Sequence, residues 1–259
     1  MSEVRYALVT GASQGLGKVF ARHLAAQKRN LILVARSGEK LKALAEQIRA
    51  TDSVTAVPLE FDLAAPTAGV RLAQYLAEHK FSVDLLVNNA GFGLRGGFVE
   101  LSLERQVEML QLNNTAIVEL TYALLPDLVR HPKAGVINVA STAGFQPIPY
   151  ASIYAATKSF LISFSLGLQQ EIRSKGVSVV TLCPGRLLNE AQMEQVRSGS
   201  QKFGFVYQSP EVVVQEALQS MEKGGGLVVP GFVNKISVFA QRLIPRRVVP
   251  RLVAKLSQQ

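Results

Sequence analysis

The 259 residues are 48% hydrophobic with a mean hydropathy of +0.19, so one large domain or two small ones can bury a core without covalent staples. A single cysteine, Cys183, excludes an internal disulfide and predicts a reducing compartment, with the thiol a small buried apolar group beside Pro184. The net charge of +9 is lopsided: seven basic and no acidic residues follow Glu222, which leaves +2 for the rest and argues against a nucleic-acid-binding surface.

Arg5 and Tyr6 run straight into Ala7-Leu8-Val9, so no targeting segment is expected before the first strand. No apolar run approaches the roughly 18 residues of a membrane span. A cytoplasmic protein, at most peripheral to a membrane, is expected. Strand-like apolar runs at 6–10, 30–35, 54–60, 85–88, 136–140, 177–183 and 227–229 alternate with helix-periodic segments. The runs up to 183 are near-continuous rather than alternating, as in a parallel sheet covered on both faces. No repeat or linker divides them. The prediction is one α/β domain over 1–232, a doubly wound, Rossmann-type, mostly parallel seven-stranded sheet, followed by a basic amphipathic extension over 233–259.

The first strand enters Thr10-Gly11-Ala12-Ser13-Gln14-Gly15-Leu16-Gly17, and a helix is predicted over 18–27. Glycines at 11, 15 and 17 let the backbone turn tightly and approach a pyrophosphate, while the helix N-terminus supplies free N–H groups. Ser13, Gln14 and Leu16 complete the candidate contacts of this turn. The spacing does not suit a triphosphate loop, and Val19 stands where a Mg²⁺-binding hydroxyl would be needed. At the end of the second strand Ala35 fills the position where NAD-preferring sites place an acid, and Arg36 follows. A guanidinium suits a ribose 2′-phosphate, so Arg36, with Ser13, points to NADP(H); the alternative is an exposed helix-capping arginine.

Asp62 and Leu63, after the third strand, offer a carboxylate and an apolar side chain to an adenine. Asn88-Asn89-Ala90-Gly91 ends the fourth strand with amides able to steady strand ends beside a cofactor. A helix around 104–126 carries Asn113 among apolar neighbours; a buried amide there either binds backbone or holds a water near the site. The run 136–140 ends at Ser141, a loop with Gly144, Pro147 and Pro149 follows, and Tyr154 and Lys158 open a long helix one turn apart. An ammonium close to a phenol lowers its pKa toward the working range, and a neighbouring hydroxyl, Ser141, can polarise a carbonyl oxygen.

In this order and spacing, these residues, with Pro184-Gly185, resemble a short-chain dehydrogenase/reductase over 6 to about 232; Ser141 lies 13 residues before Tyr154, the family's usual interval. The resemblance implies hydride transfer between NADP(H) and a carbonyl or alcohol. Tyr154 would be the proton donor, Ser141 the hydrogen-bonding partner of the substrate oxygen, and Lys158 the ribose ligand that tunes Tyr154. Asn113 would hold a relay water, and Asn89, Ala90, Gly91, Pro184, Gly185 and Leu187 would border the cofactor. It implies no metal. One departure stands out: Asn189 occupies the position of a threonine that touches the nicotinamide carboxamide. The branch resembled is that of 3-oxoacyl and long-chain ketone reductases.

Specificity is expected from a lid over 189–209, with Gly199, Gly204, Phe203, Phe205 and Tyr207, facing Phe92, Leu94, Phe145 and Tyr150; the alternative is that these aromatics plug the core. Between 234 and 259, apolar residues from Ile236 to Leu256 recur at near-helical intervals among six basic residues, broken at Pro245 and Pro250. Such a segment lies on an anionic membrane or packs on a partner subunit; nucleic acid is not the expected partner. A homo-oligomeric, NADPH-dependent carbonyl reductase is the reading preferred over a silent NADP(H)-binding sensor, which has no need of Ser141, Tyr154 and Lys158 together.

Overall fold

The computed structural model describes residues 4–198 and 207–241, with 243, 245, 247–250, 253 and 254. Seven parallel strands form one sheet: β1 (Arg5–Thr10), β2 (Asn30–Ala35), β3 (Ala56–Glu60), β4 (Ser82–Asn88), β5 (Gly135–Val139), β6 (Ser178–Leu182) and β9 (Gly225–Val228), in the order β3-β2-β1-β4-β5-β6-β9. Two short strands, β7 (Arg186–Leu187) and β8 (Tyr207–Gln208), pair separately. The order reverses between β1 and β4, which opens a crevice beyond the carboxyl ends of the strands.

The near-continuous apolar runs reflect burial on both faces. Ala7, Val9, Leu31 and Leu33 face α1 (Gly15–Ala26), α2 (Gly38–Asp52) and α8 (Pro210–Glu222), meeting Phe20, Leu24, Leu41, Leu44, Val213 and Val214. The intervening Leu8, Ile32 and Val34 point the other way, onto α3 (Ala68–Glu78), α5 (Ala116–Leu128) and α6 (Ser152–Ile172), where Leu72, Leu76, Leu120, Leu124 and Leu168 close the second core. A buried polar chain crosses this second layer: Asn88 Nδ2 donates to Thr121 Oγ1 (3.1 Å) and Asn138 Oδ1 (2.8 Å), and Asn138 Nδ2 donates to Ser165 Oγ (2.9 Å). These bonds tie β4, β5, α5 and α6 in fixed register under the site.

The helix expected around 104–126 is interrupted. It runs as α4 (Leu103–Leu110), one wider π-type turn (Gln111–Thr115) and then α5. The extra residue in that turn places Asn113 and Asn114 inward together, where Asn114 Nδ2 donates to the Thr157 carbonyl at 2.9 Å on α6. The segment after Leu187 holds α7 (Glu190–Arg197) and β8, and α9 (Phe232–Gln241) follows β9. Val238 of α9 packs in a third apolar cluster with Ala140, Leu161 and Cys183. Cys183 is fully buried, and burial pushes its thiol up to about 12, so it behaves as the apolar residue expected. Among the described residues no helix is long and apolar enough to cross a membrane.

Candidate active site

Six chain segments, each at or just past the carboxyl end of a strand from β1 to β6, enclose a cleft of about 470 Å³ together with Leu112, Tyr154 and Lys158. At its floor the glycine turn needs its glycines. A Cβ on Gly17 would stand 2.2 Å from the Gly11 carbonyl oxygen, and Gly11 itself has φ +64°. Gly17 therefore shapes the turn without lining the cleft, whereas Gly11, Ser13, Gln14, Gly15 and Leu16 line it. Gln14, at the N-cap of α1, makes no side-chain bond to the first-turn N–H groups, and that turn contains no acid. Those donors and the positive dipole end are left for an anion, which fits a pyrophosphate.

Asn89 steadies this turn as expected: its Nδ2 donates to the carbonyls of Thr10 (2.9 Å) and Gly11 (3.2 Å). Thr10 contributes in a way the sequence reading missed. Its hydroxyl donates to Val87 O (3.1 Å) and accepts the N–H groups of Asn89 (2.9 Å) and Ala90 (3.0 Å), clamping β1 to the end of β4. A threonine closing an apolar strand was the available signal.

On the far side Leu63 and Leu112 supply apolar walls beside Phe61 and Asp62, whose carboxylate accepts Ala64 N–H at 3.0 Å. Leu112 and Phe61 were not foreseen; they come from the π-turn and from the residue before Asp62. Arg36 lines the cleft and donates to Glu108 of α4 at 3.2 Å. Glu108 also pairs with Arg105, whose guanidinium lies 4.6 Å over the centre of the Phe92 ring. The arginine is thus held across the cleft by a carboxylate rather than capping α2, whose N-cap is Ser37.

The three expected catalytic side chains converge. Ser141 accepts Ala143 N–H at 3.1 Å and shares a hydrogen bond with the Tyr154 phenol. Lys158 Nζ lies 5.9 Å from the Tyr154 ring centre and donates to Val139 O at 2.8 Å, leaving two N–H groups for a ligand. The expected lowering of the Tyr154 pKa by Lys158 is not what the geometry gives. Burial raises the Tyr154 pKa from the ordinary phenol value, opposed by the Ser141 hydrogen bond, and burial brings Lys158 down to about 8. The phenol therefore keeps its proton at neutral pH, which suits a proton donor.

Asn113 takes the backbone alternative. Its Oδ1 accepts Phe92 N–H (3.1 Å) and its Nδ2 donates to Phe92 O (2.9 Å) and Thr157 Oγ1 (3.2 Å), so no side-chain N–H remains to hold a relay water. It clamps the segment after Gly91, where a Cβ would meet its Oδ1 at 2.8 Å. Asn189, standing where the family has a threonine, is engaged elsewhere: its Oδ1 accepts Gln192 N–H (2.8 Å) while Gln192 Oε1 accepts Asn189 N–H (3.0 Å), a reciprocal cap that starts α7, and it is not among the residues lining the cleft. Pro184, Gly185 and Leu187 do line it. Gly185 N–H donates to Gln208 Oε1 (3.1 Å), and a Cβ there would strike Asn234 of α9 at 2.4 Å, two supports invisible in local sequence.

Of the expected substrate wall, Phe92 borders the main cleft. Leu94 and Tyr150 share a smaller cavity of about 320 Å³ with Tyr154. Phe145 borders a third cavity, of about 890 Å³, against Val238 and Val249. Tyr207 sits on β8, while Gly199, Phe203, Gly204 and Phe205 lie outside the described residues.

Comparison with known proteins adds the lineage. The model of the family described as short chain dehydrogenase matches residues 5–199. The chain is 30% identical to dehydrogenase/reductase SDR family member 7B of Bos taurus, over 92% of this chain and 77% of that one. It is 29% identical to the ketoacyl reductase HetN of Nostoc, over 83% and 74%. Among solved structures, the short-chain dehydrogenase from Sphingobium yanoikuyae in complex with NADPH superposes with a TM-score of 0.77 at 29% identity, covering 92% of this chain and 94% of that one. A match to this family's model along three quarters of the chain places the protein in the short-chain dehydrogenase family of oxidoreductases.

Proposed function

We propose that the chain is an NADPH-dependent reductase of an apolar ketone or 3-oxoacyl compound. The observation that carries the reading is the convergence of the Tyr154 phenol with Ser141 and a buried Lys158 in one cleft with Arg36. NADP(H) is supported by a guanidinium, and no acid, at the end of β2, and by likeness to an NADPH complex. The apolar substrate is supported by Phe92, Leu94 and Tyr150 around Tyr154 and by resemblance to a ketoacyl reductase.

The dinucleotide, when bound, supplies the hydride. The first-turn N–H groups of α1, from Gly15 onward, would hold its pyrophosphate, Leu63 and Leu112 would border its adenine, and Arg36, released from Glu108, would pair with a 2′-phosphate. Lys158 gives its two remaining N–H groups to the nicotinamide ribose. At the substrate, the Ser141 hydroxyl holds the carbonyl oxygen and Tyr154 transfers its phenolic proton to that oxygen as negative charge develops there. The phenolate left behind regains a proton from solvent. The apolar row Leu103, Val107 and Leu110, exposed along one face of α4, is what a homo-oligomer would cover.

Tyr154→Phe tests the reading. Turnover should fall by roughly 10²–10⁴-fold while NADPH still binds, since only the proton donor is removed. Full turnover in the variant would overturn the mechanism.

A further inference from the structure

Helix α9 is amphipathic the wrong way round for a helix on a water-facing surface. Its inner side presents Asn234, 8% exposed and bonded to Pro230 O at 3.0 Å, together with Val238 and half-buried Gln241. Its outer side presents Phe232, Ile236 and Phe239, and the turn that follows continues the row with Leu243. Spacings of four, three and four residues put these side chains on one stripe, with Val233 at its border. Phe232 and Leu243 are 75% exposed and Phe239 63%. Water gains nothing from such a row, and a contiguous exposed apolar strip marks a surface meant to be covered.

Charge narrows the choice of cover. The stripe belongs to the stretch after Glu222, which carries seven basic residues and no acid. Lys235 flanks the stripe and is exposed, as are Lys223 and Arg247. A second copy docking by this face about a two-fold axis would set that unopposed positive charge against itself. A bilayer with anionic headgroups meets both features at once: acyl chains take the aromatic and aliphatic row, and the headgroups take the lysines and arginines.

We propose that the outer face of α9 (Phe232, Ile236, Phe239 and Leu243) docks the protein on an anionic lipid bilayer. The inner side of the same helix closes the 890 Å³ cavity against Phe145, Pro147 and Ile148, and Asn234 abuts Gly185 of the cofactor cleft. Docking therefore sets the catalytic side of the fold toward the lipid. The assignment of this surface does not depend on which ketone is reduced or on which nicotinamide cofactor serves.

The test is sedimentation of the full chain with phosphatidylcholine vesicles, with and without phosphatidylserine, at low and high salt. Binding is expected with phosphatidylserine and weakens as salt rises. The double variant Phe232→Ser/Phe239→Ser should lose at least about tenfold in vesicle affinity, because two large side chains no longer leave water. Both positions are exposed and outside the cleft, so its circular dichroism spectrum and dinucleotide binding should match the parent. Three results would overturn the proposal: no binding to the phosphatidylserine vesicles, unchanged binding by the double variant, or a variant whose only change is a smaller mass on a sizing column, which would make the occupant a second copy. Loss of ketone reduction with intact vesicle binding would count against the proposed function alone.

Discussion

Lys158 is only 6% exposed, and burial holds its pKa at about 8, against 10.5 for a solvated lysine. Replacing it with methionine, similar in length and uncharged, gives a stability change that can be worked out. Below pH 8 both the folded and the unfolded chain carry the proton, and the fold bears the whole burden of burying the charge, about 3 kcal/mol from the difference between those two values. Between pH 8 and 10.5 the unfolded chain holds a proton that the folded chain has lost, so stability of the parent rises with pH until the burden is gone. Methionine removes that burden at every pH but leaves the Val139 carbonyl without its 2.8 Å donor, a loss of about 1–2 kcal/mol. The net expectation for Lys158→Met at neutral pH is a gain of about 1–2 kcal/mol, or roughly 2–8 °C in Tm for a chain of this size. Calorimetry of the cofactor-free protein from pH 6.5 to 10.5 should show that advantage shrinking above pH 8, while dinucleotide binding, read by fluorescence, is lost. A variant that melts below the parent, or an advantage that does not change with pH, would refute the reasoning that desolvation of this ammonium is the dominant effect.

Arg36→Ala should raise the KM for NADPH by about 10–100-fold and leave NADH nearly unchanged, as expected for losing a charge-assisted contact to a 2′-phosphate; equal effects on both would remove Arg36 from that role. Glu108→Gln frees the same guanidinium from its carboxylate partner. It should tighten binding of adenosine 2′,5′-bisphosphate several-fold in calorimetry, more at low salt than at high, with no change for AMP. Asn113→Ala strands both the N–H and the carbonyl of Phe92, so it should cost about 2–4 kcal/mol in denaturant unfolding; a loss confined to turnover would point to a chemical role instead.

The sequence by itself determined the strand–helix alternation, the glycine turn after β1, and the Ser141, Tyr154 and Lys158 constellation. These are written in short-range periodicity and in spacings of a few residues, which a single chain displays without any fold. It could not determine which distant groups meet. Arg36 finds Glu108 across 72 positions, and Asn113 finds Phe92 because a π-turn rotates it inward. Asn189 is drawn into a helix cap, where a local bond competed successfully for its amide. The direction of the Tyr154 shift also belongs to the tertiary structure: a four-residue spacing brings an ammonium near a phenol, but only packing decides how far water is excluded, and here desolvation outweighs the opposing Ser141 hydrogen bond. The same holds for α9, whose apolar stripe was legible as a pattern while its outward orientation depends on Asn234 and Val238 being the residues that the core accepts.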